Sequence, residues 1–158
     1  MRREFAAIAL RAAGVSFDPS SLASIRVAAT AALKWADANE ESWQRPNCLH
    51  WGNILLGEVA LAAGDVAEAG RRLLLAGDCG GSPQLASFGP DFELAQKLLD
   101  SSMREVVVSY LGKCAKFWRL GRPSVEKWVL RVQAGERIDL TRARMLDMAP
   151  DDDENELE

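Results

Sequence analysis

From Ser21 the apolar residues recur at intervals of three and four: Leu22, Ile25, Ala28, Ala29, Ala32, Leu33 and Ala36. This spacing gathers them on one face of a helix with 3.6 residues per turn and predicts an α-helix running to about Glu40. After Pro46 the pattern resumes at Trp51, Ile54, Leu55 and Val59, which predicts a second helix capped by Asn47 and reaching Ala63. Gly64 stops that helix. Asp65 caps the next one, whose apolar face is Val66, Ala69, Leu73 and Ala76. The stretch GDCGGSPQLASFGP, residues 77–90, reads as a loop from its Gly, Pro and Ser content. A further helix is expected from Pro90 to about Ser101, with Phe92, Leu94, Ala95, Leu98 and Leu99 on its apolar side. Asp91 and Glu93 fall in its first turn, where the helix dipole favours anions.

Residues 104–121, REVVVSYLGKCAKFWRLG, are ambiguous over a short window, because Val106, Val107 and Val108 favour strand. The longer pattern decides for helix: Val107, Tyr110, Leu111, Cys114, Phe117 and Trp118 keep helical spacing over three turns. A last helix begins at Pro123, presents Val125, Trp128, Val129 and Val132, and stops at Gly135. At the N-terminus, MRREFAAIALRAAG has the charged start of an export signal, but Arg11 interrupts its apolar run. It reads instead as an amphipathic helix using Phe5, Ile8, Ala9 and Ala12. The expected fold class is all-α.

The segment Leu56–Gly77 holds four glycines, at 57, 64, 70 and 77, although each interior Gly costs a helix about 1 kcal/mol relative to Ala. Two short helices joined by Gly64-Asp65 account for most of them. Gly57 lets the first helix approach Ala69 on the second, Gly64 and Gly77 end helices, and Gly70 is expected to be exposed. Leu56-Gly57, Ala69 and Ala76 stand at the small-residue signature positions of the tetratricopeptide repeat, a helical hairpin of about 34 residues, which this segment resembles. Asn53, Ala60 and Leu73 depart from the repeat's usual Trp, Tyr and Phe. A second copy follows 38 residues later, with Leu94, Ala95, Leu98, Val107, Leu111 and Cys114 in the corresponding roles. The resemblance covers two degenerate repeats over about 47–120, and the segment is also similar to a group of small bacterial helical-repeat proteins. It implies hairpins stacked as a short right-handed solenoid, with helices 21–40 and 123–135 capping the ends.

Repeats of this kind bind a peptide or partner helix in the groove lined by the first helix of each pair. The resemblance therefore implies a non-catalytic protein–protein interaction module. Its groove would present Trp51, Ile54, Glu58 and Leu61, then Phe92, Gln96 and Leu99. With His50 and Phe88 added, the expected partner-binding set is His50, Trp51, Ile54, Glu58, Phe88, Phe92 and Gln96. An immunity protein or antitoxin that neutralises a toxin is an alternative within the same class.

Charge adds a second candidate. The net charge is −4, but residues 147–158 carry seven acids and no base, leaving 16 acids against 19 bases in residues 1–146, a formal +3. The expected organisation is one domain over 1–146 followed by an acidic, disordered tail. Lys113, Lys116, Arg119, Arg122, Lys127 and Arg131 face a single acid, Glu126, within residues 113–131, and Phe117, Trp118 and Trp128 interleave with them. Such a face is a possible anionic-ligand or nucleic-acid surface, the basic residues meeting phosphates and the aromatics stacking on bases. A flexible tail of like-charged acids would then compete with an acidic ligand there, or serve only to keep the body in solution.

Catalytic chemistry has little to build on. The lone histidine, His50, and Cys48 point about 200° apart on a helix, and no His or Cys pair has zinc-ligand spacing. Cys114 lies on an apolar stripe, Cys79 sits in the loop, and GDCGGS lacks the Lys-Ser/Thr ending of a phosphate-binding loop. No enzyme, metal or cofactor is expected. Three widely spaced cysteines fit reduced thiols in a cytoplasm, no apolar run approaches a membrane span, and the expected state is a monomer or weak homodimer.

Overall fold

The computed structural model describes residues 20–147, together with Ala6, Ala7, Leu10, Arg11, Gly14 and Asp18, and side chains as far as Arg144. The N-terminal helix expected from Phe5, Ile8, Ala9 and Ala12, and the acidic tail beyond Asp147, lie outside the described residues. The elements are all helices: α1 (Leu22–Ala38), α2 (Arg45–Ala62), α3 (Val66–Gly77), α4 (Pro83–Phe88), α5 (Glu93–Asp100), α6 (Arg104–Phe117), α7 (Arg122–Gln133) and α8 (Leu140–Asp147).

Local chemistry explains most of the boundaries. Ser21 caps α1 by accepting from the Ser24 N–H, and Asp65 caps α3 by accepting from Glu68 N–H at 3.0 Å, a bond of a kind worth about 1 kcal/mol. Glu68, in the first turn of α3, is held by Arg71 and Arg72 at 2.6 and 2.7 Å, and these partners draw its carboxyl down to about 2. Asn47 is not a cap, contrary to its expected role: α2 already begins at Arg45, with Pro46 in its first turn, and Asn47 is buried. The 77–90 loop contains a helix of its own. Ser82 accepts from Leu85 N–H at 3.1 Å and Pro83 supplies the first helical position, so α4 forms with only six residues. Helix α5 starts at Glu93 rather than Pro90, and Asp91 caps it from outside through Glu93 N–H at 3.0 Å.

Two cores meet at α2. The smaller joins Ala6 and Leu10 to Ile25, Ala28, Ala29, Ala32 and Ala36 of α1 and to Cys48, Leu55 and Val59 of α2. Its run of alanines lets α1 lie close along α2. The larger core holds Ile54, Ala69, Leu73, Phe92, Leu98, Val107, Tyr110, Leu111, Trp118, Val125 and Trp128. Hairpin α2–α3 meets hairpin α5–α6 through α3 against α6, and α7 and α8 close the far end.

Gly57 has the role expected of it. A Cβ there would lie 2.4 Å from Leu94 Cδ2 and 3.5 Å from the Ala69 carbonyl, so α2, α3 and α5 share one point of contact. Gly70, in contrast, is buried rather than exposed, because α6 crosses it: Met103 Cε would be 3.1 Å from an added Cβ and Val106 3.5 Å. The two sites are expected to respond oppositely to alanine. At Gly57 the new methyl meets an enclosed leucine, and overpacking of about 1–3 kcal/mol exceeds the helix-propensity gain of about 1 kcal/mol. At Gly70 the obstacle is the end of a flexible methionine, so Gly70→Ala should be neutral or stabilising. Urea midpoints of the two variants check this, and similar shifts in both would contradict it.

Candidate partner groove

The residues expected to line a groove divide into an interior set and a surface set. His50, Ile54 and Phe92 are buried. This corrects the expectation that they meet a partner: α2 and α5 turn these positions inward, onto α3, α6 and the aromatic cluster. Trp51 is half-buried and stands edge-on to His50, with ring centres 5.3 Å apart. Glu58 and Leu61 are half-buried on α2, and Glu58 Oε1 lies 4.0 Å from Lys97 Nζ of α5. Phe88, at the end of α4, is 53% exposed. Gln96 is half-buried, but its Oε1 accepts from the Leu140 N–H at 2.8 Å and its Nε2 donates to Asp100 at 2.9 Å. Trp51, Glu58, Leu61, Phe88, Gln96 and the half-buried Leu99 are the members of the expected groove that retain accessible surface.

His50 holds a polar web instead. Its Nδ1 lies 3.1 Å from the Ala76 carbonyl and so donates, which leaves Nε2 to accept from the Asp91 N–H at 3.2 Å. These roles define the neutral tautomer with the proton on Nδ1. Asp91 passes the connection on: its carboxylate caps α5, and its carbonyl accepts from the Tyr110 hydroxyl at 2.5 Å. A second web ties α4 to α2. Asn47 donates to Gln44 and Gln84 at 2.9 and 2.8 Å and accepts from the Ser82 hydroxyl at 2.5 Å. The connector between the hairpins is thus fastened by buried hydrogen bonds at both ends. A lone histidine and an Asn after Pro gave no sequence signal for this, because their partners lie 26 to 41 residues away.

The basic face is less free than its composition implies. Lys113 pairs with Asp78 at 2.5 Å and Arg131 with Glu136 at 2.9 Å, while Arg122 donates to the Ala115 carbonyl at 2.8 Å and so caps the end of α6. Lys116, Arg119 and Lys127 are exposed. Trp118 and Trp128 are buried against Phe92, with centres 5.7 and 5.3 Å from its ring, and Phe117 is half-buried. The two tryptophans therefore offer no face for stacking on bases, which corrects the expectation for them.

All three cysteines are buried thiols, and burial pushes Cys48 and Cys79 up to about 11 and Cys114 well above the usual thiol range. Thiols in this state are poor nucleophiles at neutral pH. Among the described residues no three His, Cys, Asp or Glu side chains gather as metal ligands, and no helix is long and apolar enough to cross a membrane.

Trp118, read from the sequence as part of an apolar face, and Arg144, which the sequence did not single out, organise the far end. Trp118 fills the corner between α6 and α7. Arg144, from α8, lies over it with its guanidinium carbon 5.9 Å from the ring centre, and donates to the carbonyls of Phe88 and Pro90. The arrangement defines an all-α protein of paired helices. No family model, curated protein or solved structure matches the chain.

Proposed function

We propose that the chain is a non-catalytic interaction module. In this reading hairpins α2–α3 and α5–α6 act as tetratricopeptide-like repeats stacked as a short right-handed solenoid, α1 and α7 cap them, and a peptide or helix of a partner protein lies along α2 and α5. The observation that carries the reading is the approach of Glu58 to Lys97. It brings the first helices of the two hairpins together, and half-buried Trp51 and Leu61 share the Glu58 face of α2, supplying apolar surface beside a carboxylate and an amine. Such a face takes an amphipathic segment: apolar side chains enter between the helices, and charges at the rim set register and specificity.

Affinity capture from native lysate at low and moderate salt tests this. A single protein retained at both salt concentrations, and lost on Glu58→Arg or Phe88→Ser, is the expected result. Retention indifferent to both substitutions would reject the groove. Nucleic acid recovered only at low salt would move the function to Lys116, Arg119 and Lys127, since phosphate contacts weaken steeply with salt.

A further inference from the structure

Helix α8 packs on α5, one of the two helices along which the groove reading lays a guest, and on α7. Its first residue, Leu140, is buried in the larger core, and the Leu140 N–H donates to Gln96 on α5. One turn later Arg144 donates to the carbonyls of Phe88 and Pro90, covering the α4–α5 turn and the Trp118 ring. A leucine and an arginine four residues apart are thus anchors on one face of the helix, beside Ile138 and Ala143, which pack on the same core. Asp139 starts the helix by accepting from the Thr141 and Arg142 N–H groups, both at 3.0 Å.

The seat is imperfectly satisfied. Trp118 Nε1 is buried with no hydrogen-bond partner among the described residues, directly under the helix that Arg144 anchors. No carboxylate among the described residues pairs with Arg144, whose half-buried guanidinium meets carbonyl dipoles, a ring face and Tyr110. The one indole N–H of this corner without a partner among the described residues and a half-buried guanidinium thus meet at a single contact, the seat of α8. Eight residues are also too few to hold a helix in isolation, so α8 owes its form to its seat.

We propose that α8 is an exchangeable occupant, and that the surface beneath it docks a partner helix carrying the same Leu-x-x-x-Arg pair. The proposal rests on the groove reading above and gives it a partner chemistry. In the resting chain α8 closes the α5 end of the groove, and a partner helix displaces it.

The probe is a fluorescein-labelled synthetic peptide of residues 137–147, titrated against the full chain and its Arg144→Ala variant. The variant is expected to bind at least about tenfold more tightly than wild type, because its own helix competes less well. A peptide carrying Arg144→Ala should bind the same variant at least about tenfold more weakly. Equal binding by wild type and variant, or no binding by a variant whose helical circular dichroism is intact, would overturn the proposal. Native-state hydrogen exchange on the unmodified chain is the second readout. The Ala143 and Arg144 amides should exchange at least about a hundredfold faster than those of Leu111 and Cys114, and exchange at the same rate would make α8 part of the cooperative core and overturn the exchange. Capture that depends on Glu58 but is unchanged by Arg144→Ala would leave the groove standing and remove this proposal alone.

Discussion

Replacing His50 with alanine is expected to lower stability by about 3–5 kcal/mol, measured as the unfolding free energy in urea. Three losses combine. The ring fills buried space between α2, α3 and the Pro90–Asp91 turn, and removing a buried ring of this size leaves a cavity that the neighbours fill only in part. The Ala76 carbonyl loses its donor, and the Asp91 N–H loses its acceptor. Each orphaned buried group costs about 1–3 kcal/mol when no water replaces the partner. His50→Asn should recover part of the deficit, since its amide N–H can replace Nδ1 while its shorter chain falls short of Asp91. A loss below about 1 kcal/mol for His50→Ala would show that the web does not fasten the hairpin connector.

Trp118→Ala is expected to have a similar cost, about 3–5 kcal/mol, because the indole is fully enclosed by Phe92, Trp128 and the backbone at Gly89 and Gly121. A Cβ at Gly121 would fall 2.3 Å from the ring, so the backbone has closed around this one side chain. Part of the cost is offset, since the substitution also removes a buried indole N–H that has no acceptor among the described residues. Trp118→Phe keeps most of the ring and omits that donor. It should lose no more than about 1.5 kcal/mol, in the range of a tolerated hydrophobic exchange. Denaturation of the pair followed by near-ultraviolet circular dichroism distinguishes the two effects, and a Phe variant as unstable as the Ala variant would contradict the packing given for this corner.

What could be read from the chain follows from how far each interaction reaches. Helices α1, α2, α3, α6 and α7 were legible because each spans three turns or more and repeats its apolar face several times. The valine run at 106–108 misleads only over a short window; Tyr110, Leu111 and Cys114 restore the helical period. Helices α4 and α8 escaped notice for the opposite reason. Six residues of PQLASF and eight of LTRARMLD are too few to show a period, and the second is rich in charge. Both are specified by distant contacts, Ser82 with Asn47 and Leu140 with Gln96. Gly70 looked exposed from the α2–α3 hairpin alone, and only the crossing of α6 buries it. In the groove, residue type and helical face were readable. Which side chains remain accessible depends on how α3, α6 and the aromatic cluster pack against α2 and the start of α5, and this turned His50, Ile54 and Phe92 from contacts into core.

Site-specific photo-crosslinking tests the interaction reading most directly. A benzophenone amino acid placed at Leu61, at Phe88 and, as a control, at exposed Thr30 on α1 would be irradiated in native lysate. The account expects one discrete protein adduct shared by positions 61 and 88 and absent at position 30. Adduct from position 30 alone, or the same mixture of adducts from all three, would contradict a groove along α2 and α5.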